Sequence, residues 1–285
     1  MACGVLRDRS MKLTGWRRIA AAMWRAPNDP QIYGTLEVDA VPVSRLIDAA
    51  RAQGVHLTPT VVVGRAVAHA LVAVPDLNVR IVGDRAIPRP TVDIFFIAAV
   101  GGGGDLSGVK VVDVPHKPAI AVYEELARRA GSMKRGKDPD FQRSKSLMER
   151  LPMPLLRASL HVTAFAANTL DLDVPSLGLH RSPFGSAMVT SVGMFGLPGG
   201  FAPIGWMYSV PLLIAVGQIV DKPAVVDGQV VARSTLTLSA TIDHRFVDGF
   251  HISRAMKAMR EYLANPAQFE PALASTAQTA RAAMT

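Results

Sequence analysis

The chain has 285 residues, 49% hydrophobic and only 19% charged, with a formal net charge of +8. That length fits one large domain or two small ones, and so apolar a composition points to buried subunit contacts. A single cysteine, Cys3, excludes an internal disulfide framework and a cysteine-built zinc cluster, and suits a reducing cytoplasm. The sequence has no signal-peptide run, and none of the roughly 18 apolar residues that a membrane span needs. Much of the basic excess sits at Arg7, Arg9, Lys12, Arg17, Arg18 and Arg25. With aromatic residues at 6% and no repeated basic–aromatic pattern, nucleic acid is excluded as partner and a phosphate-bearing cofactor is preferred.

Residues 1–11 are expected to be mobile. Thr14 can cap a helix over about 16–26, with Ile19, Ala22 and Met23 on one face, ended by Pro27 to Pro30. Ile32, Gly34, Leu36 and Val38 alternate with Tyr33, Thr35, Glu37 and Asp39, which predicts a strand over 31–39. Helices follow at about 43–53 and 59–73, then strands at 78–87, 92–100 and near 108–113, with Gly101 to Gly104 between the last two. Residues 118–134 read as helical, and an apolar helical piece lies around 147–170. Strands are predicted at 187–193 and 210–219, and Asp227-Gly228 predicts a hairpin turn. A strand over 235–243 and a helix over 250–263 follow, and the Ala-rich tail beyond Asn265-Pro266 reads as weakly held. There is no internal repeat, and the mixed elements predict a single α/β sandwich.

The strand 235–243 carries Leu236, Leu238, Ala240 and Ile242 on one face, and parity makes His244 the next member. An imidazole on that apolar side would be kept neutral near pH 7 by burial and poised as a base. Two other readings of the residues stand beside this one. His244 can be a satisfied core histidine, or it can ligate metal with Asp248 and His251, although no further cluster completes a three- or four-ligand site.

The whole segment Asp243-His244-Arg245-Phe246-Val247-Asp248-Gly249 resembles the signature of the catalytic domains of 2-oxoacid dehydrogenase dihydrolipoyl acyltransferases, the superfamily that includes chloramphenicol acetyltransferase. Other segments follow in that family's order: Leu13 to Ala20, Leu36 to Asp39, Pro75 to Asn78, Thr190 to Gly196, Leu212 to Ile219 and the Asp227-Gly228 hairpin. The resemblance covers residues 12–268. It implies a two-layer α/β sandwich of mixed sheet and helices, and a coenzyme A-dependent acyltransferase without a metal. It implies His244 as general base on the acceptor thiol or hydroxyl, and Thr190, or Ser191 if the register slips by one, as the hydroxyl that stabilises the oxyanion. Asp248 would hold the site's architecture by pairing with Arg18 or Arg17 of the first helix. The family's working unit is a homotrimer with the site between subunits, and larger shells of trimers occur in multienzyme complexes.

Three departures qualify these expectations. No lipoyl domain or peripheral-subunit-binding domain is read before the catalytic domain, so the acceptor is expected to be free or carried on another, lipoyl-bearing protein in trans. Gly101 to Gly104 replace the family's polar loop. Residues 135–185 are longer than the usual connection, and the apolar stretch Leu151 to Leu170 can pack on the trimer, cover a substrate pocket or touch a membrane surface; Arg157 and His161 argue against spanning, and packing is the favoured reading. Residues 269–285 form the expected C-terminal tail. Two alternatives stay open: a small-molecule O-acetyltransferase like chloramphenicol acetyltransferase, and a catalytically idle trimeric scaffold.

Overall fold

The computed structural model describes residues 29–83, 85–100, 105–134, 152–170, 172, 182–205 and 207–273. The chain divides into two compact units, Met1–Pro30 and Gln31–Thr285. The predicted first helix, with Arg17 and Arg18, and the run Gly101 to Gly104 lie outside the described residues.

The second unit opens with β1 (Gln31–Asp39), α1 (Val41–Ala52) and α2 (Pro59–Ala73). After a short 3-10 turn come β2 (Val79–Val82), β3 (Arg85–Pro88), β4 (Ile94–Val100), β5 (Asp105–Val111) and α3 (Ala119–Lys134). Helix α4 (Met153–Asn168) precedes β6 (Ala187–Ser191), β7 (Leu212–Val216), β8 (Val220–Val226), β9 (Gln229–Asp243), α5 (Gly249–Ala264) and α6 (Pro266–Phe269). A seven-stranded mixed sheet runs β1-β9-β7-β6-β4-β5, with β8 also on β9. This is the expected α/β arrangement of sheet and helices.

Alternation puts Leu36, Val38, Ile94, Phe96, Val189, Ile214, Leu236, Leu238 and Ile242 into one core with the apolar faces of α1, α2 and α5. The opposite face buries Met188 and Leu213 against Ile204 and Val210, with Phe95, Phe184 and Tyr208 packed around them. β9 is the longest strand because it serves two pairings. Its first half folds back on β8, and its second half lies between β1 and β7. The turn between β8 and β9 is the predicted one, with Asp227 and Gly228 both at positive φ (51° and 78°), as a two-residue hairpin of matched twist requires.

The structure departs from the sequence reading in two places. The strand predicted at 78–87 is a tight hairpin, β2 paired with β3, broken at Gly83 with φ 62°. The apolar stretch within 151–170 is helical as expected, forming α4, and its Leu155, Val162 and Phe165 are exposed in the single chain. The tail is held as far as Leu273, because Glu270 and Leu273 are buried.

Glu270 explains why. Its Oε1 accepts from Arg65 Nε at 2.6 Å and from Tyr262 Oη at 2.7 Å, and its Oε2 accepts from the Ala119 amide at 2.8 Å. Arg65 also donates to the Val114 carbonyl at 2.7 Å. One buried ion pair thereby ties α2, α3, α5 and the segment after α6 together, and burial pushes the Tyr262 phenol well above its ordinary range. A buried pair earns little net stability against an apolar substitute, but removing one partner strands the other charge.

Glu270→Gln is therefore expected to destabilise the chain by about 3–5 kcal/mol in urea denaturation, and a loss below about 1 kcal/mol would contradict this network's role.

Candidate active site

The β9 strand ends at Asp243, whose amide donates to the Pro211 carbonyl at 3.0 Å. The chain then turns: Phe246 N donates to the Asp243 carbonyl at 3.1 Å, and Arg245 N donates to Asp243 Oδ1 at 3.0 Å. Arg245 closes the same turn with its side chain, Nε on both carboxylate oxygens and Nη2 on Oδ2 at 2.6 Å. This bond to Asp243 raises the Arg245 pKa above its ordinary value.

The turn corrects the parity argument. Strand alternation stops where the strand stops, so His244 is exposed in the single chain and does not join Leu236 and Leu238 in the core. The buried polar group is its neighbour Asp243, at 4% exposure. The Asp243–Arg245 pair was missed from sequence, although an Asp followed two residues later by Arg at a strand end is an available signal for such a side-chain-capped turn.

Asp248 caps α5. Its Oδ1 accepts from the amides of Phe250 at 3.0 Å and His251 at 3.2 Å, as expected of a carboxylate at a helix N-terminus. His251 Nδ1 meets the same oxygen at 2.7 Å, while His251 Nε2 lies 3.6 Å from Asp76 Oδ2. Among the described residues the partner of Asp248 is thus His251, and the expected arginines Arg17 and Arg18 lie outside them. The His251 hydrogen bond holds the Asp248 carboxyl below its ordinary pKa. No cluster of three or more His, Cys, Asp or Glu side chains able to hold a metal occurs among the described residues.

Thr190 and Ser191 stand half-buried at the C-terminal end of β6. Close backbone approach fixes that end. Gly217 lies under the Pro198 carbonyl, where an added Cβ would sit 2.1 Å from the oxygen, and a Cβ on Gly193 would meet Gly217 at 2.6 Å. Gln218 N donates to the Leu197 carbonyl at 2.8 Å, and Val192 N donates to the Val216 carbonyl at 2.9 Å. A cavity of about 580 Å³ opens here, lined by Ser191, Gly193, Gln218, Phe96, Leu126 and the first turn of α2.

Register decides whether these groups can meet within one chain. Thr190 pairs with Ala215, and Ala215 pairs with Ser239. His244 lies five residues beyond Ser239, which is about 16 Å along the strand and two strand spacings of about 4.8 Å across. The imidazole and the two hydroxyls therefore sit at opposite ends of the sheet, and no side chain spans that gap.

All four described candidates fall in one recognised segment. Residues 180–270 match the model of the 2-oxoacid dehydrogenases acyltransferase catalytic domain. The match takes in Thr190, Ser191, His244 and Asp248, as well as the capped turn and the two glycines described above. Along nearly its whole length the chain is 27% identical over 271 residues, 92% of it, to the dihydrolipoyllysine-residue acetyltransferase component of the acetoin cleaving system of Bacillus subtilis. It spans about half the length of the curated relatives it matches in this way, 56% in that case.

Two solved structures resemble the fold at 21% identity and a TM-score of 0.61, covering 85% of this chain and 84% of theirs. One is the cubic core of a pyruvate dehydrogenase multienzyme complex. The other is the dihydrolipoamide acetyltransferase of Azotobacter vinelandii, studied for the roles of a serine, a histidine and an asparagine in its catalytic mechanism.

The lowered Asp248 pKa carries a sign. The carboxylate's stabilising contribution is present above the ordinary carboxylate pKa and is lost as pH falls through the depressed value. In His251→Ala, Asp248 is expected to titrate closer to the ordinary value by side-chain carboxyl NMR. An unchanged titration would contradict His251 as the main cause.

Proposed function

We propose that the protein is a coenzyme A-dependent acyltransferase of the dihydrolipoyl type. The observation that carries this reading is the family segment 180–270, which contains Thr190, Ser191, His244 and Asp248 together. The spacing supports it: in the Azotobacter enzyme the studied histidine and asparagine are four positions apart, as are His244 and Asp248. The studied serine precedes that histidine by some fifty positions, the range in which Thr190 and Ser191 precede His244.

In the proposed reaction His244 takes the proton from the acceptor thiol or hydroxyl. The freed lone pair attacks the thioester carbonyl, and a carbon–sulfur or carbon–oxygen bond forms. The bond to the coenzyme A sulfur then breaks, and that sulfur leaves with the proton held by His244. Thr190, or Ser191 beside it, donates its hydroxyl hydrogen to the oxyanion of the tetrahedral intermediate. Asp248 holds the start of α5, and through it the turn that bears His244. The cavity at Ser191 suits the thioester end of coenzyme A, since its walls are mainly apolar and Ser191 is among its lining residues.

Because one chain keeps His244 and Thr190 at opposite ends of the sheet, the active unit is read as an oligomer, with the imidazole of one subunit facing the hydroxyl of the next. The homotrimer implied by the family resemblance satisfies this, and it buries surface that is apolar in the single chain. Tyr33, Met194, Phe195, Leu197 and Phe201 are all about half exposed, and all but Tyr33 lie within the ten residues after Ser191. Tyr33 and Phe201 already meet edge to face at 5.3 Å. A lipoyl group carried on a separate protein, or a free dithiol, would serve as acceptor.

With acetyl-CoA as donor and dihydrolipoamide among a panel of thiols and alcohols, release of free coenzyme A is expected, and His244→Ala is expected to lower kcat by about 10²–10⁴-fold, the usual worth of a general base. Turnover no greater than that of His244→Ala with every acceptor would contradict the enzyme reading and leave the scaffold.

A further inference from the structure

A second cavity, of about 310 Å³, lies beside the His244 turn. Its walls include His161 and Phe165 from α4, Ile81 from β2, Ser209, and Arg245 with Phe246 from the turn itself. It shares no lining residue with the cavity at Ser191. Its volume is at the small end for ligand sites, about 300–1,000 Å³, which is too little for coenzyme A and enough for a compact acceptor.

Three observations define what would fill it. Phe165 is 55% exposed although it is a large apolar side chain, and with Phe246 and Ile81 it offers flat and branched apolar walls. Arg245 is fixed by its two-pronged bond to Asp243, and among the described residues its Nη1 has no hydrogen-bond partner. A guanidinium held in this way is a pre-set donor for a carboxylate or carbonyl oxygen. The far rim is also fixed, since the Ser209 carbonyl accepts from the buried Arg89 at 2.8 Å and Ser209 itself is held at φ 51°.

We infer that α4 and the Arg245–Phe246 turn form the acceptor pocket of the acyl transfer. The acceptor is a compact amphiphile, with an apolar or aromatic body between Phe165, Phe246 and Ile81 and an anionic or carbonyl oxygen on Arg245 Nη1. The thiol or hydroxyl to be acylated lies at the other end, toward His244, the residue immediately before Arg245. This inference rests on the acyltransferase reading. It gives α4 a purpose as the wall that selects the acceptor.

The test uses the whole protein with acetyl-CoA and two acceptors, phenylethanethiol and its para-carboxylate. The wild type is expected to favour the carboxylate. Phe165→Ala is expected to raise the KM for both acceptors about tenfold while leaving the KM for acetyl-CoA unchanged, the usual worth of one apolar contact in a pocket. Phe165 is half exposed, so the substitution leaves folding intact. A binding measurement runs alongside: para-ethylbenzoate, which has no group to acylate, should bind the wild type and fail to bind Phe165→Trp, whose larger ring fills the cavity.

An acceptor KM unaffected by Phe165→Ala, or para-ethylbenzoate binding equally to Phe165→Trp or not at all to the wild type, would overturn the pocket. The acyltransferase reading fails separately, by an absence of turnover in the wild type. Para-ethylbenzoate binding that Phe165→Trp abolishes would then still establish the pocket as a ligand site.

Discussion

Along Leu238–Ile242, β9 is paired on both edges, to β1 on one side and to β7 on the other. A strand paired on both sides cannot bend, slip or shorten without losing two ladders, and a slip of one residue would turn its whole apolar file out of the core. The sheet therefore sets a fixed distance between what stands at its two ends. Thr190 and Ser191 stand at one end, pinned by the backbone crossing of Gly193 and Gly217. His244 stands at the other, in a turn pinned by Asp243 and Arg245. Chemistry that needs both must recruit a second chain, and so the site and the assembly are one question.

The second fixed point is the Arg65–Glu270 pair. It lies away from the candidate site, under the helices that cover the sheet. It holds α2, whose first turn lines the cavity at Ser191, and α5, whose first turn carries Asp248. A charge buried this deeply tolerates only one arrangement of its partners. The helical layer thus has a unique seating, and both ends of the sheet inherit it.

Much of this could be read from the sequence, and the rest failed for identifiable reasons. Helix α2 and strand β1 have the bounds that their periodicity and proline signals predict, because local pattern and tertiary burial agree there. The Asp227-Gly228 turn is legible because only residues tolerant of positive φ make a two-residue hairpin. The motif singles out His244, but period-two reasoning gives it the wrong surroundings, since that reasoning does not know where a strand ends. What ends it is an Asp243 side chain competing for the backbone, a local effect of short polar residues. Glu270 was lost in an Ala-rich tail because its partner Arg65 is some two hundred residues earlier, a separation that no periodicity reaches. Helix α4 was read correctly as helical and apolar. Its exposed face became visible only with the fold, and that face is where the second cavity forms.

The measurement that bears most directly on a site shared between subunits is complementation. Chains carrying His244→Ala are mixed with chains carrying Thr190→Ala and Ser191→Ala together, dissociated and reassembled. Each variant alone is expected to be nearly inactive. In the mixed oligomer about a quarter of the interfaces should pair an intact imidazole with intact hydroxyls, and activity should recover in that proportion. A mixture no more active than its parents, with co-assembly verified, would contradict the shared site.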